Sequence, residues 1–311
     1  MLMGGRNVMK ETILRTEKLT KKYNDFAALD NVSITVNKGD IYGLIGRNGA
    51  GKTTLMKVVT TLTNKTSGEY TLFGKDNKDM TESKRRIGCL IENPAFFEGM
   101  TAYQNLMYYS IQKGIVDKSQ IDKVLELVKL TPNKNQKFKT FSLGMKQRLG
   151  IAFAMLDNPD FVILDEPING LDPIGISELR DTLKMLNEES GVTMMISSHI
   201  LSELYLIANR FCFIDQGRII KEITKEELDS ECSKSLVIKT NDVQGATVVL
   251  EKELGTTNYK VVDDLNIRLY DYLDNAVKVN KTLASHDIDV ISIYESGITL
   301  EEYFKSIVKE G

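Results

Sequence analysis

The sequence GRNGAGKTT at residues 46–54 decides the fold. Four residues separate Gly46 from Gly51, and Lys52 and Thr53 follow directly, which is the spacing of a phosphate-binding loop. The apolar run Ile41–Ile45 precedes it, so the pattern predicts a strand, a tight loop and a helix that begins near Lys52. The glycines let consecutive backbone N–H groups point toward phosphate oxygens, and the positive end of the helix dipole adds to the attraction.

Two side chains of this loop have defined chemistry toward a nucleoside triphosphate. Lys52 reaches the β- and γ-phosphates, and the hydroxyl of Thr53 ligates Mg²⁺. A glycine-rich turn that binds nothing is the alternative, and the flanking strand and helix argue against it. The predicted nucleotide-binding positions of the loop are Gly46, Asn48, Gly49, Ala50, Gly51, Lys52, Thr53 and Thr54.

A second motif, FVILDEP, follows at residues 161–167. Its four apolar residues, Phe161–Leu164, predict a buried strand that ends in two carboxylates. Asp165 at the strand tip suits a Mg²⁺ ligand, directly or through water, and Glu166 is placed to polarise an attacking water as general base. Two adjacent acids after a buried strand are rarely structural, because burying a carboxylate without a partner is costly.

Strand-like and helix-like segments alternate over the first two thirds of the chain, which predicts an α/β layered domain. Between residues 100 and 156 the pattern is helical. Thr101 with Gln104 forms a capping box, and residues 118–128 form an amphipathic helix, so we expect a helical insertion between two strands of the sheet. The predicted strands are residues 33–36, 41–45, 161–164, 193–197 and 210–214.

The last third of the chain has a different character. The charged segment KEITKEELDSECSK at residues 221–234 predicts a short helix and a linker. A β-α-β-β-α-β order follows, which predicts a small ferredoxin-like α+β domain and then a final amphipathic helix. These segments are residues 235–239, 244–254, two strands within 259–270, 275–284, 289–294 and the helix 300–308.

Composition argues against several classes of protein. The 311 residues carry a net charge of −3, so no global positive field attracts nucleic acid. No run of 18 apolar residues exists, so service to a membrane would require a partner. The three cysteines lie far apart and there are only two histidines, which argues against disulfides and clustered-histidine metal sites.

Three further motifs decide the class. They are SLGMKQ at residues 142–147, NGLD at 169–172 and SSH at 197–199. Together with the phosphate loop, and in this order, they resemble the ABC ATPases over about residues 13–222. We therefore expect a P-loop ABC-type ATP-binding domain at 13–222, with its helical subdomain at about 94–156, and an accessory α+β domain at 230–311.

The resemblance implies a composite site in a homodimer, where two subunits enclose two ATP molecules head to tail. Tyr23 would stack on the adenine, although a surface Tyr beside two lysines is the alternative. His199 would hydrogen-bond the γ-phosphate and orient the water with Glu166. Leu143 and the pair at 145–146 depart from the family pattern. The ATP-binding residues implied for the signature and D-loop positions are Ser142, Gly144, Gln147 and Asp172.

The stretch LIENP at residues 90–94 is the marker of subtype. The ABC ATPases normally have Gln at the third position, where it contacts Mg²⁺ or water and the permease. Here the residue is Glu92, as in the bacitracin-resistance and lantibiotic-immunity transport ATPases that this chain resembles. The resemblance implies a catalytic and metal-binding role for Glu92 and export of a peptide antibiotic. A Glu92 that points into solvent is the alternative.

The same resemblance implies transmembrane permease partners, no nucleic acid, and a cytoplasmic place on the inner face of the membrane. Two other classes compete with this interpretation. Soluble ABC ATPases of ribosomes or DNA usually have two cassettes or a long coiled coil, and this chain has neither. P-loop kinases offer no reason for SLGMKQ and His199. A cluster of aromatic and Met side chains follows Glu92 and forms either a docking surface for the permease or part of the core. Its members are Phe96, Phe97, Met100, Tyr103, Met107 and Tyr108.

Overall fold

The computed structural model describes residues 11–76, 80–92 and 96–310, with side chains as far as residue 307. Asn93 and Pro94 of the subtype marker lie outside the described residues. Contacts divide the chain into a first unit that ends at Lys225 and a second unit, Glu226–Lys309.

The described part of the first unit alternates strands and helices. Its strands are β1 (Thr12–Tyr23), β2 (Phe26–Val32), β3 (Thr35–Asn37), β4 (Ile41–Ile45), β5 (Ser67–Leu72), β6 (Lys75–Asp76), β7 (Ile87–Leu90), β8 (Phe161–Leu164), β9 (Thr193–Ser198), β10 (Arg210–Asp215) and β11 (Arg218–Thr224). Its helices are α1 (Lys52–Val59), α2 (Thr81–Arg85), α3 (Ala102–Gln112), α4 (Ser119–Leu127), α5 (Leu143–Met155), α6 (Pro173–Glu188) and α7 (Leu201–Tyr205). Within residues 11–76, 80–92 and 96–310, no helix combines the length and apolarity that a membrane crossing needs.

The central sheet has the strand order β11-β10-β4-β9-β8-β7. The strands from β10 to β7 are parallel to their neighbours, and β11 joins the edge in the antiparallel direction. Every residue of β4, β8 and β9 is buried, because layers on both faces cover these continuous apolar strands. The α/β prediction is confirmed, and four strands of this sheet, β4, β8, β9 and β10, match the predicted ranges within a residue.

A second, antiparallel sheet with the order β2-β1-β5-β6, in which β3 also pairs with β1, was largely missed by the sequence pattern. The predicted strand at 33–36 is wrong in extent, since the strand there is Thr35–Asn37. Register shifts at 17–20 and 19–22 interrupt the alternation of buried and exposed residues along β1. The sequence of this segment therefore does not predict a 12-residue strand. Leu14 of β1, Leu44 of β4 and Leu55 of α1 belong to one buried cluster, so the phosphate-loop helix is held between the two sheets.

The helical insertion begins with the predicted capping box. Thr101 Oγ1 accepts a hydrogen bond from the Gln104 N–H (3.1 Å), and the Thr101 N–H donates to Gln104 Oε1 (2.9 Å). Phe96 is core, with its ring 5.1 Å from Phe138 and 6.2 Å from Phe153, two aromatic residues that the sequence pattern did not group with it.

The second unit forms a sheet of its own with the order β13-β14-β12-β15, in which all neighbours are antiparallel. One apolar cluster joins the sheet to α9 and α10, with Leu236, Ile267 and Leu283 fully buried. The assignment to a ferredoxin-like fold stays a proposal. The elements after β11 are α8 (Lys225–Cys232), β12 (Ser235–Thr240), α9 (Val243–Lys252), β13 (Tyr259–Val261), β14 (Asn266–Leu269), α10 (Ala276–Ala284), β15 (Val290–Ser296) and α11 (Leu300–Glu310).

Candidate functional site

Four groups of predicted site residues follow four neighbouring parallel strands. The phosphate loop follows β4, His199 follows β9, Asp165 and Glu166 follow β8, and Glu92 comes two residues after β7. The carboxyl ends of parallel strands meet at one edge of a sheet, and ligands bind outside that edge in open α/β folds. The topology therefore brings the four motifs to one place.

The phosphate loop is shaped by close backbone contacts. Gly51 has a φ of 111°, in the left-handed region, and a Cβ there would lie 2.6 Å from the carbonyl oxygen of Ala28. The same carbonyl would meet a Cβ on Gly217 at 2.8 Å, and the Gly217 N–H donates to the Ala50 oxygen at 2.9 Å. Strand β2 and the turn after β10 thus fit closely against the loop, and only glycine fits at position 51.

Lys52 lies folded over its own loop and is only 5% exposed. Its Nζ donates hydrogen bonds to the carbonyl oxygens of Gly46 (2.6 Å) and Arg47 (3.2 Å). A buried ammonium with fixed donors is a strong site for phosphate oxygens.

The loop lines a cleft of about 340 Å³. Tyr23 is 46% exposed and has Lys21 Nζ 4.6 Å from its ring centre. Ala50 is not part of the lining, since its side chain is buried and its N–H donates to the Arg47 oxygen at 3.1 Å. Gly46 contributes the carbonyl that Lys52 contacts. The predicted residues that do line the cleft are Tyr23, Asn48, Gly49, Gly51, Lys52, Thr53, Thr54 and Glu166.

Asp165 is held by two hydroxyl groups. Thr53 Oγ1 donates to Asp165 Oδ2 at 2.7 Å, and Ser197 Oγ donates to Asp165 Oδ1 at 2.5 Å. The hydroxyl of the phosphate-loop helix and the carboxylate of β8 are therefore adjacent, which gives two hard oxygen donors of the kind that Mg²⁺ binds together with phosphate oxygens. Among the described residues, no group of three or more His, Cys, Asp or Glu side chains could hold a metal ion.

Glu166 lies between a cation and an imidazole. Its Oε1 is 3.1 Å from Lys52 Nζ, and its Oε2 is 2.8 Å from His199 Nδ1. Its N–H donates to Ser197 Oγ at 2.8 Å, and its φ of 47° lies in the left-handed region that non-glycine residues seldom adopt. Surrounding contacts thus fix both the backbone and the carboxylate of the predicted base.

A second carboxylate, Glu203 at the start of α7, stands near this pair. Burial raises the pKa of the Glu203 carboxyl; the charge of His199 lowers it, and that of Glu166 raises it. The sequence pattern gave no role to Glu203, because a Glu on a short helix has no motif of its own.

Glu92 meets a partner that the sequence pattern did not suggest. Its Oε1 lies 2.5 Å from Lys57 Nζ, and the hydrogen bond to Glu92 is the largest cause that raises the pKa of Lys57. Glu92 also lines a second cleft of about 350 Å³ with Gln147, Asp165 and Glu166. Glu92 therefore borders the site, while its carboxylate pairs with a lysine of α1.

The signature and D-loop residues are divided between two clefts, since Gln147 lines the cleft of Glu92 and Glu166. Ser142, Gly144 and Asp172 line a third cleft, whose lining shares no residue with the phosphate-loop cleft. Ser142 Oγ accepts from the Met145 N–H (3.3 Å) and so caps α5, and Asp172 Oδ1 caps α6 in the same way. Within one chain Ser142 and Asp172 cap helices, and their contact with nucleotide stays a prediction.

Sequence reasoning missed Ser197, Lys57 and Glu203. Ser197 stands in the SSH motif, and its position before the predicted histidine was a usable signal. Lys57 follows Thr53 by four residues, which is about one helical turn. This spacing places both side chains on the same face of α1 and was a usable signal.

The chain is similar to characterised transport proteins. A family profile described as ABC transporter matches residues 29–169. The bacitracin transport ATP-binding protein BcrA of Bacillus licheniformis is 42% identical over 96% of this chain and 98% of its own length. BcrA of Enterococcus faecalis is 40% identical over 98% of this chain and 99% of its own length. The lantibiotic transport ATP-binding protein SrtF of Streptococcus pyogenes is 44% identical over 68% of this chain and 90% of its own length.

Solved cassettes have the same fold. MJ1267, an ATP-binding cassette of an ABC transporter in its ADP conformation, is 30% identical with a TM-score of 0.65, covering 71% of this chain and 94% of MJ1267. The dimeric structure of MJ0796, a bacterial ABC transporter cassette, is 25% identical with a TM-score of 0.61, covering 68% of this chain and 99% of MJ0796.

Proposed function

This chain belongs to the ATP-binding proteins of ABC transporters, and we propose that its transporter exports a peptide antibiotic of the bacitracin or lantibiotic type. As a member of that family it binds ATP and hydrolyses it in the service of transport. The carrying observation is the extent of the similarity. The two bacitracin transport proteins match 96% and 98% of this chain at 40% identity or more, whereas the MJ1267 cassette matches 71%.

The phosphate-loop cleft supports a defined pose for the nucleotide. The exposed ring of Tyr23 stands at the cleft, where it can stack on adenine. Lys52, which now donates to two loop carbonyls, would donate to the phosphates when nucleotide is bound. Exchange of a carbonyl for a phosphate oxygen replaces a neutral acceptor with a charged one, and the hydrogen bond becomes stronger.

The donor set at Thr53 and Asp165 fits Mg²⁺, and we propose that these two residues hold it with the phosphates. When bound, Mg²⁺ would neutralise charge that develops on the transferred phosphoryl group. Ser197 fixes the orientation of Asp165 by donating to Oδ1, which leaves Oδ2 on the side of Thr53.

Glu166 is proposed as the general base that accepts a proton from the attacking water. His199 holds one of its oxygens, and Lys52 stands beside the other without a well-directed hydrogen bond. Movement of Lys52 toward phosphate would therefore release Oε1 for the water. A carboxylate fixed on one side and released on the other is suited to proton transfer.

We further propose that two copies form the active unit. Ser142 and Gly144 line a cleft distinct from the one that holds Lys52 of the same chain. Leu143 and Ile174 at that cleft are exposed apolar side chains, which favours burial against another surface. A second copy would bring its Lys52 site to this cleft and complete both sites, as the dimeric MJ0796 cassette supports.

A surface of the helical insertion suits the permease partner. Phe97 and Tyr108 form an edge-to-face pair with ring centres 4.8 Å apart, and both are exposed, as is Ile111 one turn further along α3. Exposed aromatic residues with a neighbouring aliphatic side chain form a good seat for a short amphipathic helix. Through such a contact the chain would stand on the inner face of the membrane.

The export proposal is tested by resistance together with identification of partners. We expect wild-type cells to tolerate more bacitracin or lantibiotic than cells whose chromosomal copy carries Lys52→Ala. Affinity purification of the tagged protein from membranes should recover multi-span proteins. Equal tolerance to both antibiotic classes in the two strains, or recovery of ribosomes in place of membrane proteins, would contradict the proposal.

A further inference from the structure

Lys57 and Glu92 come together at the rim of the nucleotide site from two different elements. Lys57 lies on α1 one turn after Thr53, whose hydroxyl contacts Asp165. Glu92 lies two residues beyond Leu90, which pairs in parallel register with Leu164, the residue before Asp165. The pair is thus built onto the same helix face and the same sheet edge as the proposed metal ligands.

The contact between the two side chains is short. Lys57 Nζ stands 2.5 Å from Glu92 Oε1, with side-chain exposures of 30% for Lys57 and 67% for Glu92. Glu92 has a φ of 64°, a conformation that a non-glycine residue keeps only when its surroundings stabilise it. The ion pair supplies one such stabilising contact.

The neighbouring carboxylates explain why the side chain of Glu92 needs a cationic partner. Glu92 lines one cleft with Asp165 and Glu166, so an ionised Glu92 adds a third carboxylate beside a site for an anionic triphosphate. Like charges in a confined cleft repel, and the repulsion is screened by salt only in part. A neutral side chain at position 92 would not create this repulsion.

We propose that Lys57 is a positioning residue for Glu92: it holds the carboxylate at the rim and offsets its charge, so that this chain binds nucleotide with Glu at position 92. The inference rests on the part of the proposed function that assigns the phosphate-loop cleft to ATP, and not on the exported substrate. Because Lys57 acts through Glu92, the two residues should be energetically coupled in nucleotide binding.

The first measurement is the affinity of the purified chain for ATP in excess EDTA, where no metal contributes. Lys57→Met should weaken binding about fivefold at low salt, and the loss should shrink as added salt screens the repulsion. Lys57→Arg keeps the charge and should stay within about twofold of wild type. In steady-state hydrolysis, Lys57→Met should raise KM for MgATP and leave kcat within about twofold, because lost charge compensation acts on binding.

The decisive variant is the double substitution. With Glu92→Gln already present, adding Lys57→Met should change ATP affinity by less than about twofold, since no carboxylate remains to be offset. Lys65→Met is the matched control, because Lys65, two residues before β5, pairs with Glu69 of that strand at 2.8 Å with similar exposures of 24% and 76%. It should leave ATP affinity unchanged.

Two results would overturn the role of Lys57. Equal losses from Lys57→Met with Glu92 and with Gln at position 92 would mean that Lys57 acts on the nucleotide independently. Wild-type affinity in Lys57→Met would mean that the ion pair has no influence on the site. Failure of the proposed function gives a different result from both: the wild-type protein itself would show no affinity for ATP.

Discussion

The phosphate-loop cleft and the Ser142 cleft differ in how their polar groups are engaged. At the first, hydroxyl, carboxylate, imidazole and ammonium groups from two strand ends and α1 contact one another at 2.5 to 3.1 Å. In the second, Ser142 and Asp172 cap their own helices, and exposed Leu143 and Ile174 surround them. The first joins its polar groups in a network within one chain, and the second leaves apolar side chains exposed, as the proposed contact with a second copy requires.

Loss of the base should affect only the first cleft and should have the largest effect. Glu166→Gln keeps the size of the side chain but cannot accept a proton, so we expect ATP to bind and turnover to fall about 10²–10⁴-fold. Glu178→Gln is the control, since Glu178 lines the Ser142 cleft and pairs with Arg148 at 3.5 Å. Steady-state ATPase assays with nucleotide binding decide, and near wild-type turnover in Glu166→Gln would remove Glu166 from the mechanism.

Blocking the second cleft tests whether it serves a partner. Ser142→Arg should lower ATPase activity about 10²-fold, because a long cation fills the cleft where the partner's nucleotide is expected. Ser119→Arg, at the exposed start of α4 in the same helical insertion, should have little effect.

The same variant allows a complementation test. Mixing Ser142→Arg with Lys52→Ala should restore about a quarter of the wild-type rate, since half of randomly paired dimers are mixed and each has one intact site. No recovery on mixing, together with a rate strictly linear in protein concentration, would favour a site complete within one chain.

The third prediction concerns Ser197, which contacts both Asp165 and Glu166. Ser197→Ala removes the donor to Asp165 and the acceptor of the Glu166 N–H, so we expect about a tenfold loss of kcat and a higher Mg²⁺ requirement. Ser198→Ala is the neighbouring control, since Ser198 Oγ accepts from the Ile200 N–H at 3.0 Å. If titrations of activity against Mg²⁺ coincide for the two variants, Ser197 does not organise the site.

The nucleotide edge could be predicted because each motif follows a buried parallel strand, and the spacing within each motif is local. Lys57 and Glu92 are 35 residues apart, so their pairing depends on how the fold places α1 beside the residues that follow β7, which no local pattern contains. The register shifts in β1 hid the antiparallel sheet for a similar reason, because the side-chain alternation used to detect a strand is broken there.

The carbonyl oxygen of Ala28 lies against both Gly51 and Gly217, residues that are 166 positions apart in the chain. A methyl group at position 217, which no nucleotide-binding motif includes, would press on β2 and through it on the floor of the phosphate loop. The tolerance of this protein to mutation is therefore set partly by a turn distant in sequence. Random mutagenesis should find position 217 about as intolerant of change as position 51.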